Sequence, residues 1–216
     1  MTADASPRSG GEDLRDEKAE RPVESHERVW TGRVFGLDED RVRVTAGGGP
    51  VVRQYLAHPG AVGILALRGA AGREQVLLER QYRHPVGAEL WEIPAGLLDV
   101  AGEAPVEAAR RELREEADLE AGRWDVLIDY FTSPGASQES VRVFLARDLR
   151  PVPDPFPRED EEADLELVWT DLDGAVDAAL SGRLHNPSAV AGVLAAFAAR
   201  ARGWRTLRPL DAPWLR

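Results

Sequence analysis

The residues with the clearest chemistry lie between 103 and 119. Glu103 precedes Ala104-Pro105-Val106-Glu107-Ala108-Ala109-Arg110, and Arg111-Glu112-Leu113-Arg114-Glu115-Glu116-Ala117-Asp118-Leu119 follows. The spacing predicts a helix from Ala104 or Pro105 to about Leu119, with Pro105 suited to its first position. On such a helix Glu112 and Glu116, four residues apart, share a face, and Glu115 borders them. Val106, Ala109, Leu113 and Ala117 form an apolar stripe that would anchor it. Like charges at this spacing repel by about a few tenths of a kcal/mol unless a cation lies between them. Every donor is a hard oxygen, so the cation expected is Mg²⁺ or Mn²⁺ rather than zinc. Glu103 could fold back onto the cluster, and Arg111 could pair with a carboxylate and fix its rotamer. The competing reading is a solvated helix laced with Arg–Glu pairs, since Glu107–Arg111 and Arg111–Glu115 are spaced for it. The Pro94-Ala95-Gly96 turn before the helix and Asp118-Leu119 after it favour a site.

The rest of the chain must hold that helix. Its 216 residues suit one compact domain, or one domain with a small appendage. Hydrophobic residues make up 43%, enough for a sizeable core. No apolar run is long enough for a membrane span, and residues 1–21 lack an apolar signal core. Cysteine is absent, which excludes disulfides, thiolate metal sites and cysteine nucleophiles. A cytoplasmic location is expected. The formal charge of −11 argues against a nucleic-acid partner, whose footprint should be basic. A small phosphorylated ligand remains open, because it needs only a local arginine patch or a bound metal.

Residues 1–24 are polar, mixed in charge and expected to be a disordered tail. Residues 25–57 are expected to form a small antiparallel β subdomain. Its strands would be 30–37, 41–45 and 51–56, with Asp38-Glu39-Asp40 and Gly47-Gly48-Gly49-Pro50 as turns. Three short strands bury little alone and need the main domain or a partner subunit to cover one face. Residues 58–202 form the main domain, with strands at 61–67, 75–82, 91–96, 124–130, 140–146 and 165–170. A loop, 132–139, separates two of these strands, and the acidic run 158–166 reads as a solvated loop. Two helices, 171–180 and 187–200, close the domain, the second with a stripe at Val190, Val193, Leu194 and Phe197. Residues 203–216 are expected to be a tail packed on the body.

The 96–119 segment resembles the signature of the Nudix hydrolases. From Glu103 the match runs through seven residues to Arg111-Glu112, then Leu113, Glu115-Glu116 and the aliphatic Leu119. It departs from the pattern twice. Six residues rather than five separate Gly96 from Glu103, and Asp118 stands where the family has glycine. The insertion precedes the helix and leaves the carboxylate register intact, and Asp tolerates a left-handed backbone better than most residues. Trp91-Glu92-Ile93-Pro94-Ala95-Gly96 and Gln81-Tyr82-Arg83-His84-Pro85 resemble the ADP-ribose pyrophosphatase branch, most closely its actinobacterial type.

The resemblance implies an α/β/α sandwich around a mixed sheet, preceded by a small N-terminal antiparallel β domain that serves a homodimer. It implies hydrolysis of the ADP-ribose pyrophosphate bond to AMP and ribose 5-phosphate. Glu112 and Glu116 would be the principal metal ligands, with Glu115 bridging and the Ala95 carbonyl a further ligand. Gly96, Glu103 and Arg111 complete the signature. The general base is expected on the 132–139 loop, where Glu139 is the sole carboxylate, with Glu115 as the alternative. Arg80 and Arg83 could neutralise phosphate oxygens, Arg83 by a bidentate contact, and Glu92 would assist from outside the metal shell. Trp30, Phe35, Tyr55 and Trp91 are adenine-clamp candidates that could equally be core. The four histidines form no spaced metal set and read as structural or surface residues. The competing functions are a diphosphatase for another nucleoside diphosphate derivative and a non-catalytic nucleotide sensor. The sensor should have lost metal carboxylates, and here Glu103, Glu112, Glu115 and Glu116 are all present.

Overall fold

The computed structural model describes residues 14–153 and 165–216. Residues 1–13 of the expected tail and most of the acidic 158–166 run lie outside the described residues.

The first three strands, β1 (Val23–Thr31), β2 (Gly36–Val42) and β3 (Val51–Ala57), form a separate antiparallel sheet. Its first turn is not at Asp38-Glu39-Asp40, as expected, but at 32–35, where Gly32 N–H donates to the Phe35 carbonyl at 2.9 Å. The acidic triplet lies inside β2 because neighbouring strands supply partners for all three charges. Arg28 grips Asp38, His26 lies 2.7 Å from Asp40, and Gln54 donates to Glu39 at 2.6 Å. Arg28 holds the Asp38 carboxyl below the ordinary aspartate range, through their hydrogen bond first and its charge second.

The main sheet has the order β10–β5–β4–β9–β8, built from β4 (Ala61–Arg68), β5 (Gln75–Arg83), β8 (Leu119–Phe131), β9 (Ser140–Pro151) and β10 (Glu166–Asp171). β4 and β9 run parallel and the other pairs antiparallel, so the sheet is mixed. β4 is buried on both faces, as its continuous apolar run requires. Val62, Ile64 and Ala66 point to one side, where α1 (Pro105–Ala117) docks with Ala108, Ala109, Leu113 and Ala117. Leu65 and Leu67 point to the other, against α2 (Leu172–Leu180) and α3 (Pro187–Ala201). The result is helix, mixed sheet, helix.

α3 buries only part of the expected stripe: Val193 is fully buried and Leu194 packs against the core, but Phe197 is not buried. Its sheet face is Ala189, Gly192, Val193, Ala196 and Ala199, while Phe197 is exposed and lies under the Arg200 guanidinium. Small residues let the helix approach closely; a Cβ on Gly192 would stand 3.2 Å from Leu65.

One irregularity prepares the site. β4 and β5 pair only at Leu67–Val76 and Arg68–Gln75. Beyond that, β6 (Ala88–Glu92) pairs with β5 and β7 (Ala95–Leu97) with β4. The Ile93-Pro94 link between them is tied down by Ile64 N–H donating to the Pro94 carbonyl at 2.7 Å. In the last residues Arg208 bridges to Val126, and Trp214 lies 4.7 Å from the Arg142 guanidinium.

Candidate active site

α1 ends at a defined point. Asp118 takes a left-handed conformation, φ 53° and ψ 35°, and its N–H reaches the Arg114 and Leu113 carbonyls. The residue that departs from the family pattern therefore still closes the helix as glycine would. At the other end, Pro105 occupies the first turn.

Two carboxylates of this helix lean on β7. Glu116 Oε2 accepts the Ala95 N–H at 3.0 Å. The Glu112 carboxylate lies where a Cβ on residue 96 would sit, so only glycine at 96 admits it. The glycine is required for this close approach rather than for backbone freedom. Arg111 ties the cluster together. Its guanidinium contacts Glu103 at 3.3 Å, Glu112 at 2.6 Å and Glu115 at 3.2 Å. The Glu103 hydrogen bond, then the charge of Glu112, strengthens its hold on its proton. Glu103 thus meets the helix through Arg111.

A second acidic group lies at the sheet split. Glu79 and Glu92 are cross-strand neighbours on β5 and β6, and both are buried. Like charges so placed are unfavourable without a cation. Arg83 supplies one, in a bidentate pair with Glu92 at 2.9 and 2.7 Å. The guanidinium is bound more tightly to its proton mainly through Glu92, with help from the charges of Glu79 and Glu116. Glu92 thus spends both oxygens on Arg83. Arg80 is exposed, 3.5 Å from Glu166 and 3.9 Å from Glu89. Arg80, Tyr82 and Arg83 line a cavity of about 510 Å³, within the range of small-ligand sites. Trp91 packs partly against the core, while Trp30 and Phe35 pair on the surface of the small sheet.

Glu139 stands at the end of the 132–139 loop. Its Oε2 accepts the Thr132 hydroxyl at 2.7 Å, and its Oε1 lies 3.7 Å from His58 Nδ1. Its charge helps keep Tyr130 protonated, although burial is the larger cause. The loop is pinned to β3: Leu56 N–H donates to Ala136 at 2.9 Å and Leu56 C=O accepts from Gln138 at 3.2 Å. Sequence reasoning did not single out Leu56, Thr132 or Glu79, nor His58 as a neighbour of Glu139. All but Thr132 come from distant segments, and no local spacing marks them.

A NUDIX domain model matches residues 57–190. The chain belongs to the Nudix hydrolase family. The ADP-ribose pyrophosphatase of Mycobacterium tuberculosis is 47% identical, over 88% of this chain and 89% of that protein. The ADP-ribose pyrophosphatase of Bacillus subtilis is 34% identical over 69% of this chain and 78% of its own. The methanol dehydrogenase activator of Bacillus methanolicus is 31% identical over 77% and 87%. The crystal structure of an ADP compounds hydrolase superposes with a TM-score of 0.70 over 88% of this chain and 99% of that one. At 20% identity it attests the fold alone.

α1 is therefore the Nudix helix. Among the described residues no three Asp, Glu or His side chains converge as a ready metal cage. Arg111 stands among Glu103, Glu112 and Glu115 instead. The donor set still fits a hard divalent cation. It offers only oxygens, Glu112 and Glu116 are drawn to one strand, and the missing Gly96 side chain makes room for the Glu112 carboxylate.

Proposed function

We propose that the chain is a divalent-metal-dependent diphosphatase that cleaves ADP-ribose to AMP and ribose 5-phosphate. The observation that carries this is the 47% identity, over nearly the full length, to a protein named for that activity. The convergence of Glu112 and Glu116 on Ala95-Gly96 supports it.

Glu112, Glu116, Glu115 and the Ala95 carbonyl are the groups that would hold Mg²⁺ or Mn²⁺. When bound, the metal supplies charge neutralisation at the phosphate oxygens and orients the nucleophilic water. With a metal bound, Arg111 would give up Glu112 and keep Glu103, which holds its guanidinium beside the helix. Arg80 and Arg83 line the cavity of about 510 Å³, with Arg83 aimed by Glu92. Glu139 takes the proton from water as its oxygen bonds to phosphorus. The P–O bond of the pyrophosphate bridge breaks, and its electron pair leaves with the departing phosphate. Glu115 is the alternative base, but Arg111 already engages it.

The small sheet serves a homodimer. β1 is exposed along its whole length, and Val29, Trp30, Phe35 and Val52 remain open. A three-stranded sheet with a bare apolar surface is stabilised by a second copy that covers it. Among the described residues no helix is long and apolar enough to cross a membrane.

The test is product analysis with Mg²⁺ on ADP-ribose, GDP-mannose, diadenosine polyphosphates and NADH, with chelated controls. AMP and ribose 5-phosphate from ADP-ribose, abolished by chelation, is the expected outcome. Preferential turnover of another compound would reassign the substrate to a different nucleoside diphosphate derivative.

A further inference from the structure

Glu139 is held by hydrogen bonds rather than by core packing, and those bonds treat its two oxygens differently. Oε2 is occupied by the Thr132 hydroxyl at 2.7 Å. Among the described residues Oε1 has no hydrogen-bonding partner and is left to accept a proton; it faces His58 Nδ1 at 3.7 Å. That separation is too long for a direct hydrogen bond.

The His58 ring is itself fixed. Its Nδ1 accepts the Gly60 N–H at 3.1 Å, and its side chain is 12% exposed. Gly60 has φ 90°, which glycine adopts readily, and a Cβ there would stand 3.1 Å from the Ser140 carbonyl. The Pro59 carbonyl accepts a hydrogen bond from Arg216 at 3.0 Å, so the chain end braces the same turn. With its Nδ1 lone pair committed to Gly60, the neutral ring carries its proton on Nε2. It therefore offers Glu139 no donor. It packs beside Oε1 without consuming it.

We propose that His58 is a positioning residue for Glu139, a wall locked by Gly60 that confines the carboxylate with Oε1 unbonded and ready for the proton of water. This rests on the reading of Glu139 as general base. The segment 56–60 then holds the loop twice, through its backbone at Leu56 and through its side chain at His58.

The experiment compares wild type, H58A, H58N, H58Q, E139Q and H58A/E139Q on ADP-ribose with Mg²⁺, and records thermal unfolding for each. Asn places an acceptor where Nδ1 lies, and Gln places it farther out. H58A and H58Q are expected to lower kcat about tenfold with KM changed less than about twofold, an effect of misplacing a reacting group. H58N is expected to recover most of the loss, and H58A to add nothing once Glu139 is Gln. Wild-type kcat in both H58A and H58Q, alongside a large loss in E139Q, overturns this inference alone. So does a loss of the same size in the E139Q background, or a rise in KM at unchanged kcat. Wild-type turnover in E139Q overturns the assignment of the base and this inference with it. Should H58A unfold, the contrast between H58N and H58Q carries the same decision.

Discussion

The carboxylates of α1 and the carboxylate of the 132–139 loop lie on opposite kinds of scaffold. Glu112 and Glu116 ride on a 13-residue helix whose other face is buried against β4 through Ala108, Ala109 and Leu113. Glu139 rides on a loop attached by two backbone hydrogen bonds to Leu56, a hydroxyl from Thr132 and a neighbouring imidazole. Burying a side chain such as Leu113 contributes about 1.5–3 kcal/mol, whereas one net hydrogen bond contributes about 0.5–1.5 kcal/mol. The helix is thus fixed by the core and the loop by contacts that can open singly. Groups that share a cation need constant spacing. A base that must meet water and then release a proton gains from a support that can move.

Substitutions can break this contrast. The largest effect is expected at the helix. E116Q removes a charge from the metal-facing set and should lower kcat/KM by about 10³-fold, since such charge stabilisation is worth several kcal/mol. Mg²⁺ titration of the rate checks it, and the half-activating concentration should rise as well. G96A places a methyl group in the space of the Glu112 carboxylate. It should raise the Mg²⁺ requirement about 10–100-fold, as loss of ligand support does elsewhere, while leaving KM for substrate near wild type. R83A strips the buried Glu92 of its bidentate partner. Urea unfolding should show a loss of about 1–3 kcal/mol, and R83K should restore only part of it because Lys cannot form the paired contact.

The smallest effect belongs to the other sheet. Asp38 has its carboxyl depressed by Arg28. Its contribution is fully present above the unfolded aspartate value of about 3.9 and is lost as pH falls through the lower folded value. Acidification below about pH 4 should therefore loosen β1 and β2. Hydrogen exchange in that hairpin should show it, and R28A should flatten the dependence.

The same contrast explains what the sequence could reveal. α1 was legible because its information is local: carboxylates at i and i+4, an apolar stripe, Pro105 at the start and a residue at 118 able to turn left-handed. The layered architecture was implied by the resemblance of 96–119 to the Nudix signature, and the apolar run of β4, buried on both faces, agrees with it. The first hairpin was misplaced because three consecutive acids look like a turn until Arg28, His26 and Gln54 arrive from other strands. On α3 the expected stripe is right at Val193 and Leu194 but extends wrongly to Phe197, because close helix–sheet packing selects small residues at 189, 192, 196 and 199. Glu139 could be picked out as the one acid of its loop, but Leu56 and His58 reach it across more than 70 residues of chain. Contacts of that kind leave no period to read.

One measurement bears most directly on the division of labour between helix and loop. The rate of ADP-ribose hydrolysis is followed against Mg²⁺ concentration for wild type, E116Q and E139Q. The expected result is that E139Q lowers the plateau by about 10²–10⁴-fold at an unchanged half-activating Mg²⁺ concentration, while E116Q moves that concentration upward. An E139Q protein with a shifted Mg²⁺ dependence, or an E116Q protein without one, would contradict it.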